Sequence, residues 1–265
     1  MANSVAASAL DLDDGHRQAG GHPGAAVGPA VLATSPSVNA TGRHVIAALC
    51  TGYEVGVRVS AARDFSRLDT LSTRRWSACG VVAATGGLAN DALHVLETAF
   101  SIAGVLSPGL SAAGYSKVMG NQVKEGIPWS LLTGLTALEL ARQELTGPLD
   151  ILDHAEYYDA AAIVDGLTED NALTKIYFKP YACCRWIHSA IDVVLELVDA
   201  TATEIKNIRS VEVFTLGRQG LIAKFRRLSS GILAPNHQDR LLGAVENLPE
   251  MKNRVPILSC LSGRF

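Results

Sequence analysis

The chain has 265 residues, a formal net charge of −3, 48% hydrophobic residues and only 6% aromatic ones. That length accommodates one large or two modest domains with a real core, and a near-neutral charge with no basic run argues against a nucleic-acid or membrane surface as partner. With so few aromatics the core must come from Ala, Val, Leu and Gly, which favours closely packed helices over a β-sandwich.

The five cysteines, Cys50, Cys79, Cys183, Cys184 and Cys260, form no C-x-x-C pair. Reduced thiols in an intracellular protein are the simplest account. The first ten residues carry no positive charge, so they read as neither a signal nor a transit peptide. No apolar run reaches the roughly 18 residues of a membrane span. The cytoplasm or the mitochondrial matrix is the expected location.

In chain order, the opening residues read as the last turns of a helix leading into Asp11-Leu-Asp-Asp-Gly-His-Arg-Gln-Ala-Gly-Gly-His-Pro-Gly24. Ala25–Thr34 follows as a buried helix that Pro29 starts or kinks. Thr41 is placed to cap a helix from His44 to about Ala61, with Val45, Ala48, Leu49 and Gly52 on one face. Ser77–Leu88 reads as a small-residue helix. Asn90 is expected to cap Asp91–Ile102, with Leu93, Leu96 and Phe100 buried. Gly104–Gly120 reads as a loop. Ile127–Leu145 is the clearest helix, with Leu131, Leu135 and Leu138 in register and Gly147-Pro148 closing it, and Leu149–Ile163 reads as more of the same.

The character changes at Lys175-Ile-Tyr-Phe-Lys-Pro-Tyr-Ala-Cys-Cys-Arg-Trp-Ile-His188, which is aromatic and basic. A helix is expected from about Ser189 to Val198. Ile208–Leu216 alternates and is β-branched, as a strand does, and a last helix is expected over Asn236–Asn247. A domain boundary is placed near residue 176.

Three places carry residue types suited to chemistry. The Asp/His loop puts three carboxylates and two imidazoles within twelve residues. It reads either as a polar turn or as a site, since Asp and His are a natural acid/base pair and glycine lets backbone approach a ligand. Lys124 stands just before the Ile127 helix, where a cation adds to the anion attraction of free N–H groups; a solvated loop lysine is the alternative. Lys179 and Arg185 stand among four aromatics, which exclude water and strengthen charge interactions. Arg185 suits bidentate carboxylate binding, and Lys179 acts as a point charge. Cys183 and Cys184 read as packing residues and His188 as a core histidine.

Four segments together resemble the MmgE/PrpD family: Asp11-Leu-Asp-Asp-Gly-His with His22-Pro-Gly, Gly52-Tyr-Glu-Val-Gly-Val-Arg, Gly134-Leu-Thr-Ala-Leu-Glu-Leu-Ala with Leu145-Thr-Gly-Pro, and Phe178-Lys-Pro-Tyr-Ala-Cys-Cys-Arg-Trp-Ile-His. The resemblance covers about residues 3 to 216. It implies a mainly α protein, with an all-helical domain over 1–175 followed by part of a smaller α+β lid over 176–265. It further implies that the first helices, most of the lid and the C-terminal return are lacking from this chain. Homodimers and a small di- or tricarboxylate substrate are implied, with no metal and no cofactor. Asp11, His22, Lys124 and Lys179 match the family's catalytic positions, and Asp14, His16 and Arg185 are expected to bind substrate. Gly15 stands where the family's decarboxylases carry a threonine, and Thr73–Gly80 roughly where they carry a histidine. The first expectation is therefore a cofactor-independent lyase of the 2-methylcitrate dehydratase type. An epimerase or cis-aconitate-type decarboxylase on a related polycarboxylate, and an inactive shortened paralogue, are the alternatives.

Overall fold

A computed structural model describes residues 1–65, 73–107, 126–154, 157–167, 171–201, 204–210, 222, 225–227, 229–230 and 234–246. By packing the chain divides into two units, Met1–Val193 and Val194–Phe265. The described secondary structure is mainly helical, as expected, with one two-stranded ribbon. None of the described helices is long and apolar enough to cross a membrane.

The first unit is built around α4 (Arg74–Ala89), which packs against α2 (Gly24–Thr34), α3 (Gly42–Ala61), α5 (Leu93–Leu106) and α6 (Ile127–Arg142). A helix surrounded in this way is built mostly from small side chains, with the fully buried Trp76 near its start as the large exception. Ala78, Val81, Val82 and Ala84 of α4 are all fully buried. Glycine sets the spacing: a Cβ on Gly80 would lie 2.6 Å from the Gly52 carbonyl oxygen of α3, and one on Gly134 would lie 2.9 Å from the Ala78 carbonyl of α4. Leu131 and Leu138 of α6 are buried and Leu135 packs against the core, so the expected register holds.

Helix α1 (Ala2–Ala9) packs on α2 and supplies a donor that Pro29 lacks. Pro29 lies inside α2 and has no N–H for its i−4 partner, the carbonyl of Ala25. The buried Ser4 hydroxyl of α1 donates to that oxygen at 2.6 Å. Thr41 caps α3 as expected, its hydroxyl accepting from the His44 N–H at 3.4 Å.

Asn90 differs from expectation. It sits at φ 58° and closes the C-terminus of α4, while Ala92 precedes α5. The left-handed turn is one that asparagine tolerates. The buried side of α5 is Ala99, Ile102 and Ala103, with Leu96 and Phe100 at its edge and Leu93 71% exposed. That helix also continues to Leu106, past the expected loop start at Gly104. The described residues of Leu149–Ile163 are largely irregular up to α7 (Ala160–Val164). Asp165 follows α7, and its carbonyl, with those of Ile163 and Gly166, accepts from the Arg58 guanidinium.

Beyond α7 come a short 3-10 turn (Ala172–Lys175), a strand, a second such turn (Arg185–Ile187) and α8 (His188–Thr201). The strand pairing is antiparallel: β1 (Gly15–His16) lies inside the Asp/His loop and β2 (Ile176–Tyr177) opens the aromatic segment, with Gly15 opposite Tyr177 and His16 opposite Ile176. Of the strand expected over Ile208–Leu216, residues 208–210 take no regular structure and the rest lie outside the described residues. In the second unit a helix spans Pro235–Glu246, where Gln238 is buried and donates to the Ser229 hydroxyl at 2.9 Å.

Candidate functional site

The site forms where the Asp/His loop meets the segment after β2. Asp11 leaves α1 in the left-handed region at φ 54°, a conformation that aspartate adopts more readily than most residues. The turn brings its carboxylate onto the Lys179 ammonium. Asp13 lies 2.9 Å from the same nitrogen. The Lys179 side chain is fully buried and that of Asp13 is 3% exposed, so the charges are held away from water, where their interaction is strong.

Asp13 also approaches His22. Its Oδ1 is 3.8 Å from Nδ1 of the imidazole, and the same Nδ1 lies 2.7 Å from the Asp14 carbonyl. A carbonyl only accepts, so Nδ1 carries the proton and Nε2 is the basic nitrogen of the neutral ring. The His22 backbone N–H donates to the Thr73 hydroxyl at 3.1 Å, which fixes the residue at the start of α4. Asp13 thus links the buried lysine to the imidazole. It was not among the residues singled out from the sequence, although it stands within the Asp11-Leu-Asp-Asp run noted there as a whole.

Asp14 turns the other way. Its Oδ1 accepts from the Gly24 N–H at 3.0 Å, at the start of α2, and its Oδ2 accepts from the Tyr53 hydroxyl of α3 at 2.8 Å. Burial pushes the Asp14 carboxyl above its ordinary value, and those two hydrogen bonds oppose the rise. Burial beside Asp14 pushes the Tyr53 phenol up as well, so it stays a donor. Space at this joint is tight enough that a Cβ on Gly24 would collide with the Tyr53 hydroxyl and the Asp14 carboxylate.

His16 is 1% exposed. Its Nδ1 accepts from the Ala19 N–H at 3.4 Å, and its Nε2 has no hydrogen-bond partner among the described residues. Burial lowers its pKa from 6.5, with Lys175 acting in the same direction and the Ala172 backbone and Glu54 opposing. Asp14 therefore bonds to α2 and α3 and buried His16 to the Ala19 N–H of its own loop, while Asp11, Asp13, His22 and Lys179 come together.

Arg185 lies over the Tyr177 ring at 5.3 Å and the Trp186 ring at 4.7 Å. Such stacking leaves the guanidinium edge available for a carboxylate. Half-buried Cys183 lies near Asp11, and burial pushes its thiol up. The His188 Nε2 lies 3.3 Å from the Cys183 carbonyl, and the ring meets Tyr181 edge-on. Lys124 lies outside the described residues.

A family model described as the MmgE/PrpD N-terminal domain matches residues 1–166. A cis-aconitate decarboxylase of Aspergillus terreus is 28% identical over 242 residues, covering 80% of this chain and 49% of that protein. A cis-aconitate decarboxylase of Aspergillus terreus strain NIH 2624 / FGSC A1156 is 29% identical over 221 residues, covering 74% of this chain and 44% of that protein. The chain spans about half the length of the curated relatives it matches.

Proposed function

This chain belongs to the MmgE/PrpD family, and from that membership we propose that it contributes the acid/base centre of a lyase acting on a small di- or tricarboxylate, by β-elimination of the 2-methylcitrate dehydratase type. The observation that carries the reading is Asp13, whose carboxylate stands between the buried Lys179 ammonium and the His22 imidazole.

In this reading His22 Nε2 removes a proton from the carbon α to a substrate carboxylate, and the C–H electrons form the new C=C bond. The C–O bond breaks, and the departing hydroxyl takes a proton from the Lys179 ammonium and leaves as water. His22 then holds one proton more, on Nε2, and Lys179 one fewer, and proton exchange with solvent after product release resets both. Enolate-like charge builds up on the substrate carboxylate during the step, and Arg185, with Lys124 where the family resemblance puts a cation, offsets it. Asp11 keeps Lys179 in place.

A second reading is supported by the two curated relatives, both named as cis-aconitate decarboxylases. There a C–C bond breaks, CO2 leaves, and the resulting carbanion takes its proton from protonated His22. Incubating the purified chain with methylcitrate, citrate and cis-aconitate, while following C=C absorbance and CO2 release, separates the two. Turnover should fall by about 10²–10⁴-fold in His22→Ala, the range for loss of a general acid/base. Absence of turnover with all three substrates would sink both enzyme readings and leave the inactive paralogue.

A further inference from the structure

We propose that Tyr177 is a substrate-positioning residue of this site, its hydroxyl reaching over Gly15 into the place where a side chain on residue 15 would stand. The assignment rests on the polycarboxylate reading above. It begins with the β-ribbon, which sets Tyr177 directly opposite Gly15. Because Gly15 has no side chain, the phenol ring lies across its backbone. A Cβ built there would fall on the ring carbon that bears the hydroxyl and on the hydroxyl oxygen itself, with Cε1 at 2.8 Å. The tip of Tyr177 is therefore held at the backbone step that follows Asp13-Asp14.

Two phenols approach this acidic run, and they differ in how they are used. The Tyr53 hydroxyl is committed to Asp14 at 2.8 Å. The Tyr177 hydroxyl makes no hydrogen bond among the described residues, although Asp14 and Asp13 are both close enough to act on it electrostatically. Burial and those carboxylates push the phenol up, while Arg185 pulls it down, and the net rise keeps it a neutral O–H donor. Arg185 over the ring face adds a cation beside that donor, with no carboxylate partner among the described residues. A neutral donor and a guanidinium held together suit an anionic, hydroxyl-bearing ligand such as a hydroxy-polycarboxylate.

The test is calorimetric titration of the 265-residue chain with citrate and with cis-aconitate, alongside thermal melting. Tyr177→Phe keeps the ring, its seat on Gly15 and its stacking with Arg185, so a purely structural role predicts unchanged binding. The positioning role predicts affinity weakened by about fivefold to tenfold, the scale of one lost neutral hydrogen bond, with an unchanged melting temperature. A second variant, Gly15→Ala, leaves the tyrosine in the chain but pushes its ring off the backbone, and is expected to weaken binding to a similar degree. If either variant binds both ligands as the wild type does, the assignment falls alone. If the wild type binds neither ligand, the polycarboxylate reading falls and takes this assignment with it.

Discussion

Lys179 and Asp13 form an ion pair at 2.9 Å in which the lysine side chain is fully buried and the aspartate nearly so. Asp11 shares the same ammonium from across 168 residues of sequence. Two carboxylates around one ammonium make a centre that tolerates loss of an aspartate better than loss of the lysine.

Replacing Lys179 with Met keeps the stem volume and removes the charge, leaving Asp11 and Asp13 without their shared cation. The expected cost is about 3–5 kcal/mol of folding stability, as when one partner of a buried pair is deleted. Urea unfolding of wild type and variant at neutral pH measures it. A change below 1 kcal/mol, on the order of an exposed surface pair, would mean that water reaches the pair in solution.

His16 gives a pH dependence with a definite sign. Its pKa in the folded chain is lowered from 6.5, so between the two values the unfolded chain binds a proton that the native chain does not. Unfolding then takes up a proton, and the stability His16 contributes is present above pH 6.5 and lost as the pH falls below it. In His16→Gln this contribution vanishes. The stability gap between wild type and variant, from urea midpoints at several pH values, should narrow on acidification. A gap that stays constant would show that the ring titrates alike in both states.

Ser4 supplies the donor that Pro29 cannot. Its hydroxyl is fully buried and meets the Ala25 carbonyl at 2.6 Å. Ser4→Ala leaves a buried carbonyl without that partner, at a cost of about 1–3 kcal/mol. Replacing Pro29 with Ala in the same background restores an N–H for Ala25 and should recover part of the loss. If the two changes are simply additive in denaturant melts, the hydroxyl and the proline act independently.

The helical character was legible because burial imposes a period on the sequence. Leu131, Leu135 and Leu138 reveal the inner face of α6, and Thr41 marks the start of α3 through a local bond to His44. Such signals involve residues within a turn or two of one another. Asn90 shows their limit: the same residue type serves a helix start or a left-handed helix end, and here its φ of 58° closes α4. Leu149–Ile163 shows another, since its apolar residues do not continue as one helix.

The candidate site was legible as a set of residue types, and the resemblance to one family rested on their order. Sequence alone determined that acids, imidazoles and a lysine among aromatics are present, and that the core must be helical and built from small side chains. Only the tertiary structure decided how they divide. The bends at Asp11 and Asp13 aim adjacent side chains apart, so that Asp13 meets Lys179 and His22 while Asp14 meets Tyr53 and the start of α2. Whether His16 faced a ligand or the core, and whether Gly15 was a loop hinge or the seat of the Tyr177 ring, depended on a strand pairing between residues more than 150 positions apart. No local pattern encodes that pairing, because its energy comes from contacts that exist only once the chain has folded.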